Sequence, residues 1–281
     1  MVNRKVRKAL KGLKMLLKPR TTTLVETYLC GIPLKTVQGT VRSKPDKDDA
    51  WYFYLSGKYS KVYDIGANVG YTALLTTIQN KKTKILLVDP NPEALYIAAK
   101  NLILNNLAQR TSFSNYFIGD QSGKHIKFYS IGADAAGSMF SGHAESASAI
   151  NQYYMVPTIT IDDLAMKTGW APELIKLDVE GAESLALQGA TETAKKESPA
   201  FFVEMHSSKD LPIMENTKAV LQWCVSVNYN AWYLKEKRVL KSPEETKGFG
   251  KYHLLLLPQK SDFPEILYKI EERSLLPDSI E

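Results

Sequence analysis

Hydrophobic positions change period several times along this 281-residue chain. Val2, Val6, Leu10, Leu13 and Leu17 recur at spacings of three and four. That predicts an amphipathic helix over 2–18 with a basic polar face, ended by Pro19. Residues 21–60 keep no sustained period. Thr21-Thr22-Thr23, Gly31-Ile32-Pro33 and the charged run from Lys44 to Asp49 read as weak strands and a solvated turn. Trp51-Tyr52-Phe53-Tyr54 then reads as an aromatic helix that packs in a core or lid over one sheet face. From Lys61 short apolar runs alternate with segments of helical period. Strands are predicted at 61–65, 84–89, 112–118, 173–178 and 199–205, and helices at 69–80, 91–105, 180–190 and 213–227. Such alternation argues a mostly parallel sheet with helices on both faces. Tyr229–Lys235 and Tyr252–Leu257 look like a closing hairpin at one sheet edge. A further pair, His125–Tyr129 and Val156–Ile161, interrupts the alternation. Between its members, Ile131–Ile150 is rich in Ala, Gly and Ser and reads either as a lid or as a disordered surface insertion. The chain thus divides into a basic helix (1–20), a lead-in segment (21–60), an α/β domain (61–260) and a polar tail (261–281).

Composition sharpens this division. At 44% hydrophobic, the chain can bury the core of one large α/β domain. Its formal charge of +6 is unevenly spread. Residues 1–20 hold eight Lys or Arg and no acid, while the remainder has a slight acidic excess. The folded part is therefore not a nucleic-acid binder on charge grounds, and it carries no paired zinc-ligand or RNA-reading motif. The basic helix reads either as an attachment to an anionic membrane or partner helix, or as a helix packed on its own domain. Cys30 and Cys224 are far apart and fit two free thiols in a reducing compartment. No apolar run is long enough to span a membrane, and no secretory signal pattern is present. A cytoplasmic protein, with peripheral membrane contact as an option, is expected.

The chemistry begins at Lys61-Val62-Tyr63-Asp64-Ile65-Gly66-Ala67-Asn68-Val69-Gly70-Tyr71. A strand here breaks into a glycine-bearing turn and a helix, which sets backbone N–H groups and a helix start at a strand's carboxyl end. The G-x-G-x-x-G of a dinucleotide site is absent. Asp64 ahead of the turn would repel a pyrophosphate but suits an ammonium. S-adenosylmethionine carries an ammonium for Asp64 and a carboxylate for the turn N–H groups. Asp89 ends the next strand about twenty residues after the turn, where a carboxylate can accept both ribose hydroxyls. Asn91 either caps the following helix or lines the adenine side. Gly119 is assigned to the adenine wall, and Asp120 either accepts from the adenine amino group or opens a turn.

A second constellation is Leu174-Ile175-Lys176-Leu177-Asp178-Val179-Glu180-Gly181-Ala182-Glu183. Asp178 ends a buried strand where the ligand crevice of an open α/β sheet forms. Lys176, inside that apolar strand, needs a carboxylate partner. Glu183 reads as an ordinary acid of a first helical turn. Glu204 and His206 end the fifth strand on one face. His206 is the candidate general base, Asp178 the residue that orients it or the acceptor, and Glu180 and Glu204 complete an acidic crevice. Asp178, Glu204 and His206 could alternatively hold a divalent metal, although no spacing enforces it.

Together these segments resemble the FkbM family of S-adenosylmethionine-dependent methyltransferases. The likeness is carried by Val62–Tyr71, Val88-Asp89-Pro90-Asn91-Pro92, Asn101-Leu102 with Asn105, Thr160-Ile161-Asp162-Asp163-Leu164, Ile175–Glu183, Leu187-Gln188-Gly189-Ala190 and Pro199–His206. It implies a class I, Rossmann-like methyltransferase fold with a seven-stranded sheet whose last strand is antiparallel. It also implies O-methylation of a hydroxyl on a sugar, glycan or polyketide-type metabolite. On this reading Asp64, Gly66, Ala67, Asn68, Gly70, Tyr71, Asp89, Asn91, Gly119, Asp120 and Asp178 hold the cofactor. One departure is Asp89, where the family more often carries Glu. Residues 1–50 and 260–281 fall outside the likeness. Two competing readings are a cofactor-binding protein without turnover and a nicotinamide-dependent oxidoreductase.

Overall fold

In the central strands every second residue faces one apolar layer and its neighbours face another. Tyr63, Ile65, Leu86, Val88, Phe201 and Val203 belong to one buried cluster, whereas Val62, Ile85, Leu87, Ala200 and Phe202 belong to the other. A strand apolar on both faces must be covered on both faces, and helices do so here. The computed structural model describes residues 6–8, 10, 11, 13, 22–132, 137–139, 145–207 and 211–280.

A hairpin of β1 (Leu24–Leu29) and β2 (Ile32–Val37) comes first as a separate two-stranded sheet. Next follow α1 (Asp49–Ser56), β3 (Lys61–Ile65), α2 (Tyr71–Gln79), β4 (Lys84–Val88), α3 (Pro92–Leu104) and β5 (Thr111–Ser114). A smaller unit is inserted there, with β6 (Phe117–Ile118), β7 (His125–Tyr129), α4 (Glu145–Ala149) and β8 (Tyr153–Ile159). The chain returns through α5 (Ile161–Thr168), β9 (Leu174–Leu177), α6 (Glu183–Gln188), α7 (Thr191–Glu197), β10 (Ala200–Met205) and α8 (Ile213–Val227). It closes with β11 (Tyr229–Tyr233), β12 (Arg238–Val239), β13 (Tyr252–Pro258) and α9 (Glu265–Tyr268).

The main sheet has eight strands in the order β12-β11-β13-β10-β9-β3-β4-β5, against the seven expected. The extra strand is the two-residue β12, which pairs only with the edge of β11. From β10 through β5 the strands are parallel, and β13 runs antiparallel to both β10 and β11. This is the class I methyltransferase arrangement with its reversed last strand. The final pair does close one sheet edge as an antiparallel pair, with β13 next to β10, β11 outside it and the short β12 beyond.

Two other expectations change. The strand expected over 112–118 is two strands: β5 stays in the main sheet, and β6 leaves it to pair with β8 beside β7. The helix expected over 180–190 begins only at Glu183, since Glu180 and Gly181 take positive φ angles of 50° and 99° and form a turn. The aromatic helix α1 is core, with Trp51, Tyr52 and Phe53 all buried. Both cysteines are buried and free. Nearly half of the glycine-rich loop expected as a lid, and much of the helix expected over 2–18, lie outside the described residues. Within the described residues no helix is long and apolar enough to cross a membrane.

Phe201 is fully buried and its ring meets Trp223 at 5.3 Å and Tyr229 at 5.9 Å. Phe201→Ala should therefore lower the unfolding free energy by about 3–5 kcal/mol in urea titrations; a loss below about 1 kcal/mol would show that this layer is not the core.

Candidate functional site

Strand order reverses at β3, with β4 on one side and β9 on the other, which opens a crevice at the carboxyl ends. The turn after β3 forms one lip. Gly66 has φ +79°, and a side-chain carbon there would collide with the Asp178 carbonyl. Only glycine lets the ends of β3 and β9 approach so closely. Gly70 has φ +84° where α2 begins, and a Cβ there would lie 2.9 Å from Ala98 on α3. The turn is tied to β4 by the Gly66 N–H, which donates to the Val88 carbonyl at 2.8 Å.

Two cavities meet at this lip. One is lined by Gly66, Asn68, Val88, Asp89, Asn91, Ile118, Phe117 and Phe128. Asp89 is its buried acid; its carboxylate oxygens accept from the N–H groups of Asn68 and Asn91, each at 2.8 Å. Burial pushes the Asp89 carboxyl up to about 6, against those two hydrogen bonds. Asn91 takes the capping role and also lines this cavity. Its Oδ1 caps α3, while Nδ2 donates to the Gly132 carbonyl at 2.9 Å on the cavity wall. The apolar wall is Phe117, Ile118 and Phe128 rather than Gly119 and Asp120. Gly119 is buried between β8 and Gly189, and Asp120 is exposed in a turn.

The other cavity, of about 1130 Å³, is lined by Ala67, Asn68, Tyr71, Thr72, Asp178, Glu180 and Glu204, and by Arg42, Asp48 and Lys251. Gly66, Asn68, Asp178 and Glu180 line both. Tyr71 donates its hydroxyl to Asp49 at 3.1 Å, and the Arg42 guanidinium, paired with Asp49 at 2.9 Å, lies over the Tyr71 ring.

Asp64 lines neither cavity. It is fully buried, accepts from the Thr72 hydroxyl at 2.6 Å, and lies 3.6 Å from Lys176 Nζ. Lys176 also reaches Asp178 at 3.4 Å and the Gly66 carbonyl at 3.4 Å, so its partners are the two acids at the crevice floor. Burial raises the Asp64 carboxyl despite Lys176. At Asp178 burial is outweighed by Lys176, His206 and Lys251, which hold that carboxyl well below the usual carboxylate range.

His206 stands just past β10. Its Nδ1 meets Glu183 Oε1 at 2.8 Å, and its Nε2 faces Glu180 at 3.6 Å, Asp178 at 3.8 Å and Glu204 at 3.9 Å. The four predicted catalytic residues are thus gathered at one point. Burial disfavours a charged ring, but the Glu183 hydrogen bond and the surrounding carboxylates outweigh it and raise His206 to about 9. Glu183 was read as a surface dipole partner and is instead fully buried, accepting also from the Asn216 side chain at 2.8 Å and the Gly181 N–H at 3.0 Å. Its helical neighbours Ala186 and Leu187 are the signal that it lies on the inner face.

Asp48, Lys251 and His253 were missed altogether. Lys251 pairs with Glu204, and His253 Nε2 lies 3.3 Å from Glu204 and 3.5 Å from Asp48. A histidine inside the apolar run Tyr252–Leu257 was the available clue. Ligand atoms of Asp178, Glu204 and His206 lie within 4.8 Å of one another, as a metal would require. A divalent cation there would compete with Lys176 for Asp178 and with Lys251 for Glu204.

Residues 64–230 match the family model described as the methyltransferase FkbM domain. No curated protein matches the chain. Among solved structures it is similar to the FkbM methyltransferase of Methylobacillus flagellatus KT, at 16% identity and a TM-score of 0.45. That alignment covers 70% of this chain but 43% of the other, so the chain spans less than half of that neighbour. It is also similar to the O-methyltransferase of Bacillus cereus in complex with SAH, at 10% identity and a TM-score of 0.46, covering 92% of each chain.

Replacing Glu183 by Gln keeps the shape of the His206 partner and removes its charge. In Glu183→Gln the ring should titrate well below 9 when followed by NMR; titration still near 9 would assign the raised value to the other carboxylates.

Proposed function

Since the chain belongs to the FkbM methyltransferase family, we propose that it is an S-adenosylmethionine-dependent O-methyltransferase acting on a hydroxyl of a sugar, glycan or polyketide-type acceptor. The observation that carries this reading is the meeting of two cavities at Gly66, Asn68, Asp178 and Glu180, with His206 behind the junction. The lining of the first cavity suits an adenosine. It has one buried carboxylate, Asp89, set among apolar walls. Asp89 would accept from the ribose hydroxyls, and Ile118 and Phe117 would enclose the base. Asp178 would face the ammonium of the amino-acid end, with Asp64 acting through Lys176 and Thr72 rather than by direct contact, because the N–H groups of Gly66, Ala67, Asn68 and Gly70 are already donated within the protein. When bound, the cofactor supplies an electrophilic sulfonium methyl.

The chain's own residues then have two tasks, to orient the acceptor and to remove its proton. The carboxylates of Asp178, Glu180 and Glu204 offer hydrogen-bond acceptors to a polyhydroxylated molecule in the second cavity. Orientation of this kind can account for about 7–11 kcal/mol of the barrier. His206 Nε2 is the nearest imidazole nitrogen to the junction, and Glu183 fixes the ring through Nδ1. Only the neutral ring can accept a proton. Because His206 is raised to about 9, turnover should climb from neutral pH and level off at or below about 9.

Two experiments separate this reading from its rivals. In calorimetry the protein should bind adenosylhomocysteine and not NAD. Asp89→Asn should weaken that binding about tenfold to a hundredfold, the worth of one charge-assisted hydrogen-bonding group. Full affinity in the variant would remove Asp89 from the ribose site. With an acceptor found from a hydroxyl panel, His206→Ala should lower kcat about 10²–10⁴-fold and flatten the rise with pH. An unchanged pH profile would sink the base assignment. A rate abolished by chelator and restored by Mg²⁺ would instead make His206, Asp178 and Glu204 metal ligands.

A further inference from the structure

Val6, Leu10 and Leu13 are exposed apolar side chains near the start of the chain. Residues 6–8, 10, 11 and 13 are helical, so spacings of four and three set these three side chains on one face. They are 47%, 51% and 45% exposed. None of them joins an apolar cluster of the described residues. Arg7 and Lys11 on the same stretch are exposed. In sequence, residues 1–20 carry eight basic residues and no acid.

We propose that this helix lies on an anionic lipid surface, with Val6, Leu10 and Leu13 in the headgroup–acyl boundary and the basic residues against lipid phosphates and carboxylates. Charge and apolar area point to the same occupant. An anionic bilayer takes up both features of an amphipathic basic helix, whereas a nucleic acid uses the charge and leaves the apolar face in water. A spanning mode is ruled out for the described residues, because none of their helices is long and apolar enough to cross. The remainder of the chain, slightly acidic, would be repelled by the same surface. The helix would therefore act as a tether that holds the domain near the membrane without burying the catalytic crevice against it.

The test is co-sedimentation of the full chain with vesicles. Vesicles of phosphatidylcholine with about 30 mol% phosphatidylserine should bind it, and pure phosphatidylcholine should not. Binding should fall steeply in about 0.5 M salt. Leu10→Ala with Leu13→Ala keeps a good helix former at both positions while removing apolar area, and should weaken binding at least about tenfold. Arg7→Gln with Lys11→Gln should weaken it through charge alone. Circular dichroism and adenosylhomocysteine affinity should stay unchanged in both variants, so that misfolding is separable from lost attachment. No sedimentation with anionic vesicles would overturn the proposal. So would binding that ignores Leu10→Ala with Leu13→Ala but is competed away by single-stranded RNA, which would transfer the basic helix to a nucleic acid.

Discussion

Lys176 places an ammonium group inside a largely apolar sheet, and the crevice is arranged around that charge. A lone buried ion costs several kcal/mol, so its partners are fixed as firmly as it is. Those partners are Asp64 across the strand pair to β3, Asp178 two residues on, and the carbonyl of Gly66. One side chain thereby ties together the end of β3, the glycine turn and the end of β9. The turn can approach β9 because Gly66 has no side chain, and it stays there because Lys176 holds both sides. Asp64 owes its place to this pairing, which explains why an acid precedes the turn without reaching the cavity.

The same logic runs across the sheet. Asp64 faces Lys176 and Glu204 faces His253 in adjacent strand pairs, with Lys251 closing on Glu204. Opposite charges alternate along the layer that α1 covers, and each stays buried because its neighbour is. Truncating one member would leave an unpaired charge in a low-dielectric layer and disturb its neighbours. Lys251 reaches solvent in the larger cavity, and Asp178 and Glu180 reach it on the rim shared by the two cavities. The network and the crevice are therefore one feature, with its closed side in the core and its open side toward ligands.

Much of this was legible in the chain because it is periodic or local. Alternating apolar runs marked the parallel strands, and Gly66, Asp89, Asp178, Glu204 and His206 could be placed at strand ends by counting. The likeness carried by residues 62–71 and 175–183 fixed the fold class. Less legible were features that depend on contacts between distant segments. Nothing local says that β6 will leave the sheet for β8, or that β13 will slot between β10 and β11. Glu183 looked like an N-terminal helix acid because its partners, His206 and Asn216, lie 23 and 33 residues away. Gly119 was placed on the wall by strand counting, whereas Phe117 and Ile118, which turn into the smaller sheet, line the cavity; Asp120 takes the turn, one of its two expected places. Asp48 and Lys251 sit in polar turns, where sequence alone cannot separate a solvated charge from one folded inward.

The raised His206 value carries a consequence for how the proposed reaction is timed. With four carboxylates around it, the ring holds its proton at neutral pH and is a poor base. A positive charge brought to the junction acts in the opposite sense. It repels the imidazolium, competes for Asp178 and Glu180, and lowers the pH at which the ring becomes neutral. On the proposed reading that charge is the sulfonium. Base strength at His206 would then depend on cofactor occupancy of the adjoining cavity, through Asp178 and Glu180 on the shared rim. On that reading the acidic crevice would hold the imidazole proton while the site is empty, and a bound sulfonium would weaken that hold, so the plateau of turnover would come at or below the value of about 9 set by the carboxylates alone.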